Sequence, residues 1–311
     1  MALGGGVAKG WAHIGVLRAF EEAKIPISMI AGTSIGALVG GCYLAGKLDP
    51  LEEFARSLRW TSVLRLMDFT LGGSGLISGM RLAARMAEHI DGITIESLPA
   101  PFVSICTDIR SGHEIWLHDG PLIAAMRASY ALPGVFAPVE HNGRMLVDGA
   151  LVNPVPVSAC RAYEPDIVIA VNLNGEAFGR NTVIRSSHYD DHPAPQSGQT
   201  SAWSAFLNAV DHLGAGTGTN AGHARRSGRM PSKLGLSGVM IEAFTIIQDR
   251  IERARLAGDP PDFVIRPRLA KIGLSEFHRA SESIQLGYDE TNKRIGELAD
   301  SGILEAIRQT A

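Results

Sequence analysis

Length, composition and charge indicate a globular protein of 311 residues, enough for one large α/β domain or two smaller ones. Hydrophobic residues make up 45% of the chain and charged residues 20%, and the net charge of −3 gives no electrostatic case for a nucleic-acid partner. No window approaches the roughly 20 apolar residues of a membrane-spanning helix, so we expect any membrane contact to be peripheral.

Three cysteines, Cys42, Cys106 and Cys160, are scattered through the chain without a paired spacing. This usage is typical of reduced core thiols. The sequence also lacks the pattern of a secretory leader. We therefore expect a cytoplasmic protein, with any peripheral membrane contact at the inner membrane face.

The chain begins with a glycine-rich loop ahead of a predicted helix over residues 11–23. Only two or three residues precede this loop, whereas a buried parallel strand usually has about five. We expect either a very short first strand or a natural start upstream of Met1, and we favour the second.

The backbone N–H groups of this loop can bind an anion, so it is a phosphate site, an oxyanion hole or a plain tight turn. The Walker motif fails because Lys9 is followed by Gly10, and the dinucleotide motif fails because Val7 breaks its glycine spacing. We favour an oxyanion hole, because the next strand–helix turn supplies a nucleophile. Its predicted donors are the N–H groups of Gly4, Gly5, Gly6 and Val7.

That next turn lies in residues 29–38, where an apolar run ends in Gly-x-Ser-x-Gly and small, helix-forming residues follow. This composition predicts a strand, a sharp turn and a buried helix. Gly32 and Gly36 leave room for close backbone packing, and Ser34 would project its hydroxyl at the amino end of the helix. An ordinary turn is the alternative interpretation.

Strand and helix patterns alternate as far as residue 173, which predicts an α/β protein of three layers, α/β/α, with a mainly parallel central sheet. The predicted strands are 25–31, 102–108, 114–117, 144–150 and 166–173, followed by 263–267 near the end of the chain. The predicted helices are 37–47, 51–58, 82–90, 121–131 and 157–162.

Asp148 stands near the end of the predicted strand 144–150, immediately before Gly149. An Asp-Gly pair usually marks a hairpin turn. Here, however, Asn153, Pro154 and Pro156 prevent a regular return strand. We therefore place Asp148 at the end of a parallel strand, where reactive groups of open α/β sheets gather.

The predicted nucleophile needs a base, and His13, His141 and Asp148 are the candidates. No histidine lies in a late strand-end loop, where an α/β-hydrolase places its own, and His278 falls in a predicted helix. A carboxylate in hydrogen-bond reach of Ser34 could act directly as general base. Its pKa would have to rise above the usual value of about 3.9.

Residues 174–233 form a polar, loop-rich insertion in the predicted fold. His188, Asp190, Asp191 and His192 cluster there, and a solvated loop is favoured over a metal site. A helical C-terminal part over about 234–311 completes a single domain over 1–311. It comprises an amphipathic helix 234–256, interpreted as core packing or as a lid or membrane-surface helix, and closing helices 275–286 and 289–308.

The glycine loop with Lys9, the segment Gly32–Gly36 and the Asp148-Gly149-Ala150 triplet resemble the three signatures of patatin-like phospholipases. More narrowly, they are similar to the bacterial group related to the catalytic domain of neuropathy target esterase. Residues 131–136 and 272–280 are also similar to that group. The resemblance extends over nearly the whole chain outside the insertion.

The resemblance implies a Ser-Asp dyad, with Ser34 as nucleophile and Asp148 as base, and no metal, cofactor or histidine. It implies an acyl-serine intermediate and hydrolysis of acyl esters such as phospholipids or lysophospholipids. Val7 departs from the family pattern, where Gly is common, and Lys9 replaces the more frequent Arg. The alternative is a non-catalytic lipid-binding or regulatory scaffold that keeps the patatin fold. We expect substrate to enter past apolar residues of 60–76 and of the 240–247 helix face.

Overall fold

The computed structural model describes residues 1–59, 88, 90–175, 236–274 and 276–300. Within these ranges, eight strands form one mixed sheet in the order β5-β6-β3-β2-β1-β7-β8, with β4 paired to β3. The neighbours β3-β2-β1-β7-β8 are parallel, whereas β4, β5 and β6 pair antiparallel. The strands are β1 (Ala2–Leu3), β2 (Ile30–Thr33), β3 (Phe102–Asp108), β4 (Glu114–Leu117), β5 (Val139–His141), β6 (Arg144–Asp148), β7 (Ile169–Val171) and β8 (Phe263–Ile265).

Helices cover both faces of this sheet, so the predicted three-layer α/β/α fold with a mainly parallel sheet is confirmed. One hydrophobic cluster joins the sheet to α1, α2, α3, α4 and α7, and a second joins its other face to α5 and to Leu256 of α6. None of the helices that the structure describes is long and apolar enough to cross a membrane. The helices are α1 (Ala12–Glu22), α2 (Ile35–Leu44), α3 (Leu48–Ser57), α4 (Leu122–Ser129), α5 (Val157–Arg161), α6 (Leu236–Gly258) and α7 (Ala280–Asp300).

The carboxyl ends of β2 and β6 meet on one edge of β3. Strand β4 pairs with residues 104–107 of β3. Strand β2 pairs with residues 102–105 and β6 with residues 106–108, and each of these ranges overlaps the range that pairs with β4. Strands β2 and β6 must therefore lie end to end along the opposite edge of β3. There Thr33 pairs with Ile105 in a parallel register, and Asp148 pairs with Cys106 in an antiparallel register. Two strands running in opposite directions therefore end face to face.

The prediction that Asp148 ends a parallel strand is wrong, because β6 is the second strand of a hairpin. Strands β5 and β6 pair antiparallel around the turn at Asn142 and Gly143, whose φ angles are 49° and 75°. Two successive positive φ angles are typical of the two-residue turn that Asn-Gly favours. The Asn-Gly dipeptide therefore carried a hairpin signal that the sequence interpretation did not use.

Several element boundaries differ from the prediction. Strand β2 begins at Ile30, five residues late, and α2 begins at Ile35, directly after Ser34. The two predicted closing helices, 275–286 and 289–308, are not separated by a break: a single helix, α7, continues past residue 288. Segment 60–76, most of helix 82–90, the insertion from residue 176 with its His and Asp cluster, and residues 301–308 lie outside the described residues.

Helix α6 fits the predicted core-packing stripe only in part. Phe244 packs against the first hydrophobic cluster, whereas Ile247 is 48% exposed. The apolar face that was predicted for this helix therefore extends beyond what the described core covers.

Helices α1 and α7 cross at backbone contact. A Cβ atom on Gly15 would lie 1.9 Å from the carbonyl oxygen of Ile284, and one on Gly287 would lie 2.1 Å from that of Ala12. The Ser283 hydroxyl also donates to the carbonyl oxygen of Lys9, at 3.1 Å. The C-terminal helix is therefore seated directly on the segment that follows the glycine loop.

We expect Gly287→Ala to lower the free energy of unfolding by about 1 to 3 kcal/mol, because the added methyl group forces two packed helices apart. Gly296→Ala on the same helix is the matched control, since none of the described residues lies within 4 Å of a Cβ there. It should raise the stability by about 1 kcal/mol through helix propensity. Urea denaturation of the two variants measures both effects, and equal changes would contradict the packing argument.

Candidate active site

Ser34 occupies the sharp turn between β2 and α2. Its φ of 57° and ψ of −124° lie in a region that non-glycine residues rarely adopt, at a cost of roughly 1 to 3 kcal/mol. The flanking glycines permit the turn, because a Cβ on Gly32 would lie 2.5 Å from the backbone of Ala37, and one on Gly36 would lie 2.2 Å from the carbonyl oxygen of Leu3. The turn has the geometry of a nucleophile elbow.

The Ser34 hydroxyl donates a hydrogen bond to Oδ2 of Asp148 at 2.6 Å. The other carboxylate oxygen, Oδ1, accepts from the N–H of Ala150 at 2.8 Å. Ser34 is 8% exposed and Asp148 is 2% exposed. The structure thus brings together two side chains that are 114 residues apart, within the distance that direct proton transfer requires.

Burial raises the pKa of Asp148 to about 6, and the hydrogen bonds from Ser34 and Ala150 oppose that rise only in part. A carboxylate with this pKa is still largely ionised at neutral pH. It is also a better proton acceptor than an ordinary aspartate, whose pKa is about 3.9. The burial of Asp148 therefore moves its pKa closer to neutral pH, where a carboxylate is more effective as a general base.

Two of the four amides predicted to face an oxyanion are already engaged. The N–H of Gly4 donates to Val171 at 3.1 Å, which extends the sheet, and the N–H of Gly5 donates to Pro154 at 2.9 Å. Within the described part of the chain, the N–H groups of Gly6 and Val7 have no acceptor. The predicted oxyanion hole is therefore reduced to the amides of Gly6 and Val7.

Neighbouring groups hold the carbonyls of the glycine loop and so orient these two amides. Because a peptide unit is planar, fixing one carbonyl fixes the direction of the next residue's N–H. The Asn174 side chain donates to the carbonyl of Gly5 at 3.4 Å, and the N–H of Lys9 donates to that of Gly6 at 3.1 Å. The amides of Gly6 and Val7 follow these two carbonyls.

A polar chain from β7 to α6 supports Asn174. Its N–H donates to the side chain of Asn172 at 2.9 Å, and the Asn172 amide donates to Glu252. Both asparagines and Glu252 are buried. The glycine loop is thereby connected to the C-terminal part of the chain.

Val7 adopts a φ of 49°, in the left-handed region that favours glycine. A β-branched residue is disfavoured there by roughly 1 to 3 kcal/mol. The Gly that the resemblance leads us to expect at this position would adopt this backbone conformation without strain. Val7 keeps its amide available but adopts a strained conformation to do so.

The candidate histidines are not placed as bases. The ring nitrogen Nε2 of His13 lies 2.7 Å from the carbonyl oxygen of Gly4, and burial lowers the pKa of His13 to about 4, so the ring is neutral. His141 lies in β5, and His278 lies in a short 3-10 turn, Phe277–Arg279. Among the described residues, no hydrogen bond joins a histidine to Ser34 or Asp148.

Supporting residues that the sequence analysis missed come from distant segments. The Thr33 hydroxyl donates to the carbonyl of Asn153 at 2.8 Å, and the N–H of Ser34 donates to the hydroxyl of Ser129 at 2.8 Å. Gly149, in contrast, belongs to the predicted motif, and a Cβ there would lie 2.2 Å from the carbonyl oxygen of Ile105. No local motif marks Ser129 or Asn153 for these roles.

The fold and this elbow define an α/β protein with a Ser-Asp pair beside a glycine loop. The family model for patatin-like phospholipases matches residues 1–161. An uncharacterized NTE family protein of Mycobacterium tuberculosis is 34% identical over 92% of this chain and 88% of its own length. The chain therefore belongs to the patatin-like phospholipase family, in the group related to NTE.

Two further similarities are more distant. Lysophospholipase NTE1 of Pyricularia oryzae is 29% identical over the full length of this chain, which spans 19% of that protein. The crystal structure of VipD from Legionella pneumophila superposes with a TM-score of 0.51 at 14% identity, covering 96% of this chain and 66% of VipD. The VipD likeness concerns the fold alone.

We expect Asp148→Asn to stabilise the protein at neutral pH. The asparagine removes a buried charge, and its side-chain oxygen can still accept from the N–H of Ala150. Its NH2 group can donate to the Ser34 hydroxyl, which reverses the direction of the present bond. The pKa of Asp148 is near 6 in the folded state, above the ordinary 3.8 expected in the unfolded chain. The free energy of unfolding of the parent therefore decreases as the pH rises from about 3.8 to 6. The gain should approach about 3 kcal/mol above pH 7 and fall to roughly half a kcal/mol at pH 4. Denaturation from pH 4 to 8 measures it, and a pH-independent difference would contradict the assignment.

Proposed function

We propose that this protein is a serine acyl-ester hydrolase that acts on phospholipid or lysophospholipid esters through a Ser34–Asp148 dyad. The observation that carries the proposal is the 2.6 Å hydrogen bond from the Ser34 hydroxyl to the buried Asp148 carboxylate. Membership of the patatin-like phospholipase family supports a lipid ester as the substrate. The printed name of the Pyricularia oryzae relative, a lysophospholipase, supports the same class.

In the first step, Oγ of Ser34 attacks the carbonyl carbon of the ester while Oδ2 of Asp148 accepts the hydroxyl proton. The carbonyl oxygen becomes an oxyanion, and the N–H groups of Gly6 and Val7 donate to it. Each such donor is commonly worth about 3 kcal/mol in the transition state. Helix α2, which begins directly after Ser34, adds the favourable positive end of its dipole.

The tetrahedral intermediate then collapses, and its carbon–oxygen bond to the alcohol breaks. Asp148 returns the proton to the departing alcohol, which leaves an acyl ester on Ser34. In the second half, Asp148 takes a proton from water, and the resulting hydroxide attacks the acyl carbon. Collapse of this second intermediate regenerates the Ser34 hydroxyl with the proton from Asp148 and releases the fatty acid.

We expect the protein to meet its lipid substrate peripherally, from the cytoplasm. This expectation and the proposed mouth at residues 60–76 rest on the sequence. On α6, the adjacent residues Ile246 and Ile247 are 45% and 48% exposed, which supports a lipid-facing role for that part of the helix.

Ser34→Ala should reduce kcat for a p-nitrophenyl acyl ester and for a lysophospholipid by at least about a thousandfold, because no acyl-serine can form. Ser97→Ala is the control, since Ser97 is exposed and donates only to the carbonyl of Thr94. Steady-state hydrolysis of both substrates measures the effect. Turnover by Ser34→Ala at the parent rate would remove the dyad, whereas no turnover by a folded parent would favour the non-catalytic scaffold.

The pH profile should report Asp148 as the base. We expect kcat/KM to rise tenfold per pH unit below an inflection near pH 6 and to level off above it, because only the ionised carboxylate accepts the Ser34 proton. Ionisation of a carboxyl group has a small enthalpy, so its pKa changes little with temperature. The inflection should therefore stay near the same pH between about 10 and 35 °C, a range in which we expect the protein to remain folded. An inflection that moves down with temperature, as that of an imidazole does, would contradict the assignment.

A further inference from the structure

Ser129 is a buried serine at the end of α4 that touches the elbow from behind. Its hydroxyl oxygen accepts from the N–H of Ser34 at 2.8 Å and its hydroxyl proton goes to the carbonyl of Ile105 at 2.6 Å. A hydroxyl has one proton and can also accept, so both bonds form at once. Ser129 therefore connects the turn after β2 to the middle of β3.

We propose that Ser129 is a positioning residue that holds Ser34 in its strained backbone conformation and so aims the Ser34 hydroxyl at Asp148. The inference rests on the acyl transfer proposed above for Ser34. It adds a third residue to the dyad, one that acts only through the backbone of the nucleophile.

The N–H of Ser34, at the start of α2, needs a hydrogen-bond acceptor from elsewhere in the fold. The N–H of Ser34 precedes the helix and so has no acceptor within it. Ser34 is buried, and an unsatisfied buried donor is costly. Without the Ser129 hydroxyl, the present orientation of the Thr33–Ser34 peptide would leave that donor unpaired.

Ser34 also has a strained backbone conformation. A φ of 57° persists in a non-glycine residue only where the surroundings enforce it. The flanking close packing of Gly32 and Gly36 enforces it sterically, and the bond to Ser129 is the polar contact that selects it. Loss of that bond brings other backbone conformations closer in energy, and these carry the hydroxyl away from Asp148.

The carbonyl of Ile105 fixes the position of the Ser129 hydroxyl. Ile105 is the β3 partner of Thr33, the residue before the nucleophile, and its neighbour Cys106 is the partner of Asp148. The carbonyl that orients Ser129 therefore lies at the point of β3 where β2 and β6 meet. Ser129 therefore ties the backbone of Ser34 to β3, the same strand that positions Asp148.

Ser104 provides a matched control. It is a fully buried serine of β3, and its hydroxyl donates to the carbonyl of Ala125 in α4 at 2.9 Å. Ser104→Ala and Ser129→Ala therefore each remove a buried hydroxyl that links β3 to α4, but of the two hydroxyls only that of Ser129 bonds to the backbone of Ser34. A merely structural role for Ser129 would make the two variants behave alike.

The experiment compares kcat and KM for a p-nitrophenyl acyl ester in the parent, Ser129→Ala and Ser104→Ala. We expect Ser129→Ala to lower kcat about tenfold to a hundredfold with KM changed by less than about twofold, because small misplacements of a reacting group affect the chemical step. Ser104→Ala should stay within about twofold of the parent in both constants. Both variants should melt at a lower temperature than the parent.

The pair Ser129→Thr and Ser129→Val separates the hydroxyl from the shape of the side chain and serves if Ser129→Ala does not fold. Threonine and valine have nearly the same shape, so a kcat at least about tenfold higher for Thr supports the proposal. Equal kcat for Thr and Val, or parent-like kcat for a folded Ser129→Ala, overturns it while leaving the dyad intact. A parent that hydrolyses no ester overturns the proposed function first, and this proposal with it.

Discussion

The hydrogen bond between Ser34 and Asp148 depends on two strands ending against one edge of β3. Strand β2 runs parallel to β3 and strand β6 runs against it, and their carboxyl ends meet between Ile105 and Cys106. A slip of one residue in either register would turn a side chain to the other face of the sheet. The close packing of Gly32 on α2 and of Gly149 on β3 fixes both registers, because neither site has room for a Cβ.

The site contains features that lower stability, and the rest of the fold offsets them. Asp148 is ionised in a buried position without a cation in its hydrogen-bond set, and Ser34 and Val7 adopt positive φ angles. Such costs are common where a reactive geometry is required. Stability comes from the core on both faces of the sheet and from the tight crossing of α1 and α7, which holds the segment after the glycine loop.

Local patterns in the sequence were enough to predict the elbow, the glycine loop and the two side chains, Ser34 and Asp148, that the structure brings together. The motif at Ser34 encodes its own turn, and Asp148 stands out because the residues after it exclude a return strand. The direction of β6 was missed, although Asn142 and Gly143 signal the hairpin locally. Ser129 and the engaged amides of Gly4 and Gly5 could not be predicted in this way. Ser34 lies 95 residues from Ser129, and Val171 and Pro154 lie even farther along the chain from Gly4 and Gly5, so only the assembled sheet brings these groups together.

The most direct test of the dyad is to locate the covalent adduct that a fluorophosphonate forms with the protein. The probe reacts with a serine that has been made nucleophilic, so peptide mass spectrometry after labelling identifies the activated hydroxyl without any assumption about the substrate. We predict a single adduct on the peptide that carries Ser34, formed much more slowly in Asp148→Asn. An adduct on another residue, no adduct on the folded protein, or equal labelling of Asp148→Asn would contradict the account.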